Sequence, residues 1–311
     1  MYKGKTVTVV VPAYNVASHI LQVLKTIPQF VDRIIVVDDC GSDGTGRVLA
    51  QVDDPRVLIL KHAANQGVGG AMVTGFKQAL KDGSELIVKM DGDGQMDPGY
   101  LPDLLDPLIE EGFGYAKGNR FLDNARLRAM PVYRLIGNYI LTFLTKLASG
   151  YWHIFDPQNG FIAIRAEALK KLELDHIARR YFFENDMLVH LNIFSIRMKD
   201  VTIPARYGEE KSSMRISEII LTFPWYLFRR FWYRVYQKHI LRDFSPIALF
   251  WVFGTPMFLW GLFFGLYTWA KSIIFVQFAS TGTVMLSVLP FLVGFELMLQ
   301  GMILEIKESP K

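Results

Sequence analysis

Asp91, Asp93 and Gln95 alternate within Lys89-Met90-Asp91-Gly92-Asp93-Gly94-Gln95-Met96-Asp97-Pro98, the densest set of cation-binding side chains in the chain. The apolar run Leu86 to Val88 before them reads as a buried strand that ends at Asp91, where the glycines let the backbone turn. On an extended segment, residues two apart point to one face, so Asp91 and Asp93 can share a hard cation and Gln95 continues the series. Mg2+ or Mn2+ held by one or two carboxylates keeps positions open for substrate phosphates, which makes a diphosphate the natural partner. The same composition would also suit an acidic, glycine-rich surface turn. Its place at a strand end favours the site, because open α/β sheets bind ligands there.

The elements that must carry this stretch are legible upstream. Thr6 to Val11 is a β-branched run closed by Pro12-Ala13-Tyr14-Asn15, with a helical pattern from Ser18. Arg33 to Val37 and Val57 to Leu60 repeat the strand pattern, the first closed by the polar loop Asp38 to Thr45 and the second leading through Asn65 to Gly70 into a helix to Leu80. Strands alternating with helices predict a mostly parallel sheet covered on both faces, with its loops gathered along one edge. The Gly67 to Gly70 loop could cradle phosphate at a helix start, but it lacks the Lys-Ser/Thr ending and the dinucleotide spacing, so a tight turn is the better reading.

The totals bound the class. A chain of 311 residues can bury a full core, and its 51% hydrophobic share is concentrated at the end. A net charge of +4 does not by itself argue for nucleic acid. Cys40, the single cysteine, excludes an internal disulfide and reads as a small buried residue. The start lacks the charged and apolar regions of a signal peptide, so the folded part is expected to stay in the cytosol.

From Ile216 the character changes. Trp225, Tyr226, Phe228, Phe231, Trp232, Tyr233 and Tyr236 interleave with Arg229, Arg230, Arg234, Lys238 and Arg242. Such interleaving also occurs on surfaces for single-stranded nucleic acid, but the uncharged block Phe244 to Ala270 that follows decides for lipid. Two spans are expected, near 247–269 and 284–304, with the basic cluster and both termini on the cytosolic side. Glu296 would lie in the second span, where a carboxyl calls for an oligomer contact or an interfacial position. The expected organisation is a catalytic domain over 1–215, interfacial helices over 216–243 and a membrane domain over 244–311.

Val10-Val11-Pro12-Ala13-Tyr14-Asn15, Asp38-Asp39 with Asp43-Gly44-Thr45, Asn65-Gln66-Gly67 and Asp91-Gly92-Asp93, in this order, resemble inverting glycosyltransferases of family 2 with the GT-A fold. The more specific resemblance is to the polyisoprenyl-phosphate glycosyltransferases, and it covers nearly the whole chain. It implies that Pro12, Ala13, Tyr14, Asn15, Asp39, Asn65, Gly67, Asp91 and Gly92 hold the nucleotide sugar, and that Asp91, Asp93 and Gln95 surround the metal. Val16, Ala17 and Gly41 depart from the family, which often has acidic residues at the first two positions and serine at the third.

Further along, Gly118-Asn119-Arg120-Phe121 resembles the segment whose arginine faces the phosphates. The amphipathic helix expected over about 127–150 carries Leu135, Ile136, Tyr139, Ile140, Phe143, Leu144 and Leu147 on one stripe, opposite Arg134, Asn138, Thr142, Lys146 and Ser149. That stripe could pack on the sheet or lie in the lipid interface. The resemblance implies that Arg134 and Asn138, with Arg120 and Arg206, grip the acceptor phosphate. It also implies an acceptor loop at Asp156, Gln158 and Asn159, and a Glu184/Asp186 segment that supplies a base in many relatives. An acidic pair at a helix start is equally an ordinary capping arrangement.

The expected reaction is transfer of a sugar from a UDP- or GDP-hexose to undecaprenyl or dolichyl phosphate at the cytosolic membrane face, with Mg2+ or Mn2+ as cofactor. Asp93, Arg120 and Arg134 are its principal residues and Glu184 and Asp186 its secondary ones, because a phosphate monoester with a second pKa near ~6 is already an anion at neutral pH. Membrane lipids and a second copy of the chain are the other expected partners, and nucleic acid is not. The alternatives are a family 2 enzyme acting on a hydroxyl, and a non-catalytic membrane scaffold that binds nucleotide sugar.

Overall fold

β-branched residues bury both faces of a strand when helices cover the sheet on each side, and β1 (Val7–Ala13) does so in the interior of a seven-stranded sheet. This computed structural model describes residues 1–120, 132–204 and 216–311, with backbone alone for 132–136 and 216–221. The strand order is β3-β2-β1-β4-β6-β5-β7, with β2 at Arg33–Asp38, β3 at Val57–Lys61, β4 at Leu86–Lys89, β5 at Tyr115–Asn119, β6 at Ile162–Arg165 and β7 at Met198–Thr202. Strands β1 to β4 pair in parallel, while β6 runs antiparallel to both β4 and β5. The mostly parallel sheet therefore has one reversed strand. Its consequence is positional: the loop entering β6 comes to the same edge as the loops leaving β1, β2, β4 and β5.

Alternation along the strands sorts the core into two layers. Val10, Ile35, Val37 and Ile87 face α3 (Val68–Lys81) and Phe183 and Leu191 of α7 (Phe183–Ile193). Val9, Val11, Ile34, Val36 and Val88 face α1 (Ile20–Thr26) and α4 (Leu101–Glu110). The short helices α2 (Thr45–Leu49) and α6 (Ala166–Leu169) close the β2–β3 connection and follow β6.

α5 (Val132–Ser149) does not pack its amphipathic stripe on the sheet. Its polar residues Thr142, Thr145 and Ser149 are buried, while Tyr139, Ile140 and Phe143 are about half exposed. Thr145 donates to Leu141 O at 2.8 Å and lies 3.1 Å from Asn185 Oδ1, so the inward polar face is satisfied within the protein. The apolar face points outward. On α8 (Ile216–Arg234), Trp225 and Phe228 are likewise exposed and stack at 5.8 Å.

Two compact units make up the chain, residues 1–231 with 310–311, and residues 232–309. The second takes in the end of α8, then a π-helical stretch, Val235–Arg242, and α9 (Pro246–Phe275) and α10 (Thr281–Glu308). Thirty and 28 residues give helices of about 45 and 42 Å, longer than a bilayer core of about 30 Å. Both outrun the lengths expected from hydropathy, α9 running on through Lys271 and Ser272 to Phe275 and α10 through Glu305 and Lys307 to Glu308. They pack through small residues spaced by seven: Gly254 and Gly261 on one, Ser287, Gly294 and Gly301 on the other. A Cβ at Gly261 would lie 2.4 Å from Phe291 N, and Ser287 Oγ donates to Gly261 O at 3.1 Å. Arg234 and Glu305, both buried, pair at 3.0 Å within this unit.

Two expectations need correction. Cys40 is exposed, in a left-handed conformation (φ 61°) where the chain leaves β2. The acidic stretch is not extended past β4, because the strand stops at Lys89 and Asp93 Oδ1 accepts from Gln95 N at 2.9 Å, closing a turn.

Candidate active site

The β1–α1 and β2–α2 loops are sewn together by side chains that accept backbone N–H groups. Asn15, at φ 54°, accepts from Ser42 N at 2.8 Å, and Asp43 accepts from Ala17 N and from the N–H and hydroxyl of Thr45. Burial would raise the Asp43 pKa, but those donors outweigh it and hold the carboxyl below its usual range. A Cβ at Gly41 would lie 2.8 Å from Asn15 N and Oδ1, so the glycine that departs from the family is what this close approach requires. Gly92 sits under the same loop, its Cβ position 3.3 Å from Pro12 O. Ala13 is buried, Pro12 partly so, and Tyr14 and Asn65 are exposed at this edge.

Asp39 is buried and engaged by its own chain. It accepts from Gln66 N at 2.9 Å and Gly67 N at 2.8 Å, and lies 2.6 Å from His62 Nδ1. The phosphate-cradle option for Gly67 to Gly70 is excluded, because the 178–180 segment covers the start of α3. Gly70 N donates to Arg179 O at 2.9 Å, and a Cβ at Gly69 would meet Ala178 O at 2.1 Å.

At the end of β4 the site turns on a residue that sequence reasoning missed. Lys89 is fully buried, and its Nζ donates to Asp91 Oδ1 at 2.7 Å and Gly160 O at 3.3 Å and lies 3.3 Å from Glu184 Oε1. Burial disfavours the ammonium, but Asp91 and Glu184 prevail and raise its pKa. Burial raises Glu184 as well, against the opposing pull of Lys89. Asp91, Glu184 and the loop ending at Gly160 are thus brought together by one cation.

The acceptor-side loop is seated on a second ionic cluster. Asp156, buried and at φ 54°, is held in a fork by Arg120, with Nε 2.7 Å from Oδ2 and Nη2 2.8 Å from Oδ1, and also accepts from Arg120 N. Burial opposes this ionisation, yet Arg120 keeps Asp156 below the ordinary carboxylate range. Beneath it Lys117, also buried, donates to Gly118 O, Phe155 O and Asp156 O. Burial lowers its pKa. Asp200, raised by burial, accepts from Phe155 N at 2.7 Å and Asn119 Nδ2 at 3.0 Å. Asn159 Oδ1 accepts from Phe161 N at 3.0 Å, while Gln158 Nε2 is buried with no hydrogen-bond partner among the described residues. Lys89 had one signal in sequence, a charged residue closing a strand run, Leu86–Lys89, that is otherwise apolar.

Asp186 has other company than Lys89. Its Oδ2 accepts from Ala178 N and from Arg230 Nη2, both at 2.7 Å, and Arg230 Nε lies 2.7 Å from Oδ1. Burial raises Asp186 from 3.8 to about 6 despite Arg230, and lowers the adjacent His190 from 6.5 to about 4. Between about pH 4 and 6 the folded chain retains the carboxyl proton, so that group makes stability fall as pH rises. His190 acts oppositely, since the unfolded chain binds its proton there and stability is lost as pH falls. The two slopes offset each other. In a His190→Gln variant, thermal unfolding followed by tryptophan fluorescence should show stability relative to wild type declining from pH 4 to 6; a constant difference would refute this pairing.

Arg206 lies outside the described residues, as does the side chain of Arg134; Asn138 is half-buried on α5.

The profile of glycosyl transferase family 2 matches residues 8–173. The chain is 30% identical over 220 residues to the UDP-N-acetylglucosamine--dolichyl-phosphate N-acetylglucosaminyltransferase of Methanococcus voltae, covering 66% of this chain and 87% of that protein. To the polyprenol monophosphomannose synthase of Mycolicibacterium smegmatis it is 31% identical over 213 residues, 65% of this chain and 77% of the other. Its fold superposes on glucosyl-3-phosphoglycerate synthase from Mycobacterium tuberculosis, crystallised with Mn2+, UDP-glucose and phosphoglyceric acid. The TM-score is 0.54 at 20% identity, over 74% of this chain and 80% of that one. A mixed sheet with acidic loops along one edge is thus the GT-A-like architecture of glycosyltransferases. The chain belongs to glycosyl transferase family 2, and it is a glycosyltransferase.

Proposed function

We propose that this enzyme transfers a sugar from a nucleotide diphosphate to a polyisoprenyl phosphate at the cytosolic membrane face, inverting the anomeric carbon. The observation that carries the lipid acceptor is α5, whose polar face is turned inward and whose Tyr139, Ile140 and Phe143 are turned out. Relatives named for dolichyl phosphate and polyprenol support the same reading.

Asp91, Asp93 and Gln95 offer only oxygen ligands, a donor set that fits Mg2+ or Mn2+. Asp91 is partly exposed beyond Lys89, so its carboxylate is accessible to such an ion. When bound there, the ion supplies charge to offset the departing diphosphate. The protein's own groups do the rest. Tyr14 and Asn15 frame the nucleotide, with Asp39 shaping the loop beneath it. Arg120, oriented by Asp156, meets acceptor phosphate together with Arg134, Asn138 and Arg206, and holds two anions close enough to react. Glu184 closes the site next to Asp91.

We assign 1–215 to the catalytic domain, 216–243 to interfacial helices and 244–311 to the membrane, crossed twice by α9 and α10 with both termini cytosolic. Glu296 stands near the middle of α10, exposed, with Gln300 Nε2 donating to it at 2.8 Å. A carboxyl at that depth needs a partner, and a second copy of the chain presents the same donor and acceptor pair. Incubating the enzyme with polyprenyl phosphate and a mixture of UDP- and GDP-sugars, then weighing the lipid product by mass spectrometry, tests the proposal. A lipid-phosphate-sugar is the expected product; donor consumption that instead glycosylates a hydroxyl would overturn it.

A further inference from the structure

Three segments that bear the candidate site converge on one buried ammonium. Lys89 Nζ bonds Asp91 Oδ1 from the acidic loop and Gly160 O from the acceptor-side loop, and pairs with Glu184 Oε1 at the start of α7. The packing leaves no slack, since a Cβ at Gly160 would come 2.3 Å from Nζ and 3.1 Å from Asp91 Oδ2. Lys89 ends the central β4, so its stem is fixed by pairing with β1 and β6.

We infer that Lys89 is a positioning residue that also acts through its charge, holding one oxygen of Asp91, leaving the other for a divalent cation, and weakening that cation's binding. The inference rests on the metal reading proposed above. A divalent ion on Asp91 shares that carboxylate with the Lys89 ammonium, and two cations on one carboxylate repel. Asp91, Asp93 and Glu184 against Lys89 leave a formal charge of −2; without the lysine it is −3. A divalent ion that is bound too firmly would hold the nucleotide diphosphate after transfer, so a built-in opposing charge favours release. Meanwhile the same ammonium keeps Asp91 and Glu184 in register with Gly160, so the two substrate loops move as one piece.

These two roles separate in experiment. Lys89→Met keeps the length of the side chain and removes the charge. Free Mn2+ read by electron paramagnetic resonance, with no sugar donor present, should show the full-length variant binding Mn2+ about tenfold or more tightly than wild type. Sugar transfer should fall, since Asp91 and Glu184 lose their anchor. A lysine needed only for folding would weaken both. The double variant Lys89→Met, Glu184→Gln restores the charge to −2 and removes the unpaired buried carboxylate, so it should return Mn2+ affinity to within about threefold of wild type. It also serves if the single variant fails to fold. Mn2+ binding that is unchanged or weaker in Lys89→Met, or still tightened in the double variant, overturns the inference while the metal reading stands. Wild-type protein that binds no Mn2+ overturns the metal reading itself.

Discussion

Asp93→Ala is expected to reduce sugar transfer on the order of 10³-fold while leaving the protein folded. The side chain lies in a turn at the sheet edge, where its Oδ1 accepts from Gln95 N. Losing that bond costs about 1 kcal/mol, which a unit of this size tolerates. Its proposed role is of another order. Diphosphate departure develops charge at the acidic loop, and with Asp93 gone Asp91 is the one carboxylate left beside Gln95 to hold the ion there, one of its oxygens already bonded to Lys89. Removing one preorganised electrostatic group from such a site costs about 10²–10³-fold. Asp93→Asn separates turn from charge, since the amide oxygen can still accept from Gln95 N; it should fold like wild type and remain nearly as impaired as alanine. Initial rates with saturating donor and a short polyprenyl phosphate decide the matter. Activity of either variant within tenfold of wild type would remove Asp93 from the mechanism.

The second large effect lies in the hairpin of α9 and α10. A methyl group added at Gly261 would stand 2.4 Å from Phe291 N and 2.6 Å from Ser287 O, both backbone atoms that cannot rotate away. Gly261→Ala should therefore force the helices apart along the whole seven-residue series and cost about 3 kcal/mol. Gly282, in the first turn of α10, is the control, because a Cβ there meets only Ser280 Oγ, at 3.9 Å. Gly282→Ala should be neutral. Helicity followed through an SDS titration compares them, and equal midpoints for the two alanines would mean the close approach contributes nothing.

Why some of this was legible in sequence and some was not follows from what each residue depends on. The β-branched runs at Val7–Ala13 and Arg33–Asp38 and the two apolar helices declare themselves locally, through period and length. The polar loops at the strand ends follow from a parallel sheet. The reversal of β6 did not, since nothing local in Ile162–Arg165 distinguishes a parallel neighbour from an antiparallel one. That reversal is what sets Gly160 against Lys89 and Asp156 at the same edge as Asp91. Lys89 and Lys117 escaped notice because a lysine in a strand suggests an exposed edge, whereas here long-range partners admit each to the interior. Arg230 is the same case, as its carboxylate partner Asp186 is 44 residues away. The amphipathic pattern of α5 was plain, but its sense was not, because a periodic stripe says nothing about which side faces the protein.

An inside-out α5 bears on how this enzyme can be handled. Deleting everything after residue 231 would remove both long apolar helices, yet Tyr139, Ile140, Phe143, Phe155, Trp225 and Phe228 would still meet the surrounding medium. The shortened protein would behave as a peripheral one, sedimenting with liposomes and released by mild detergent, rather than as a freely dissolved catalyst.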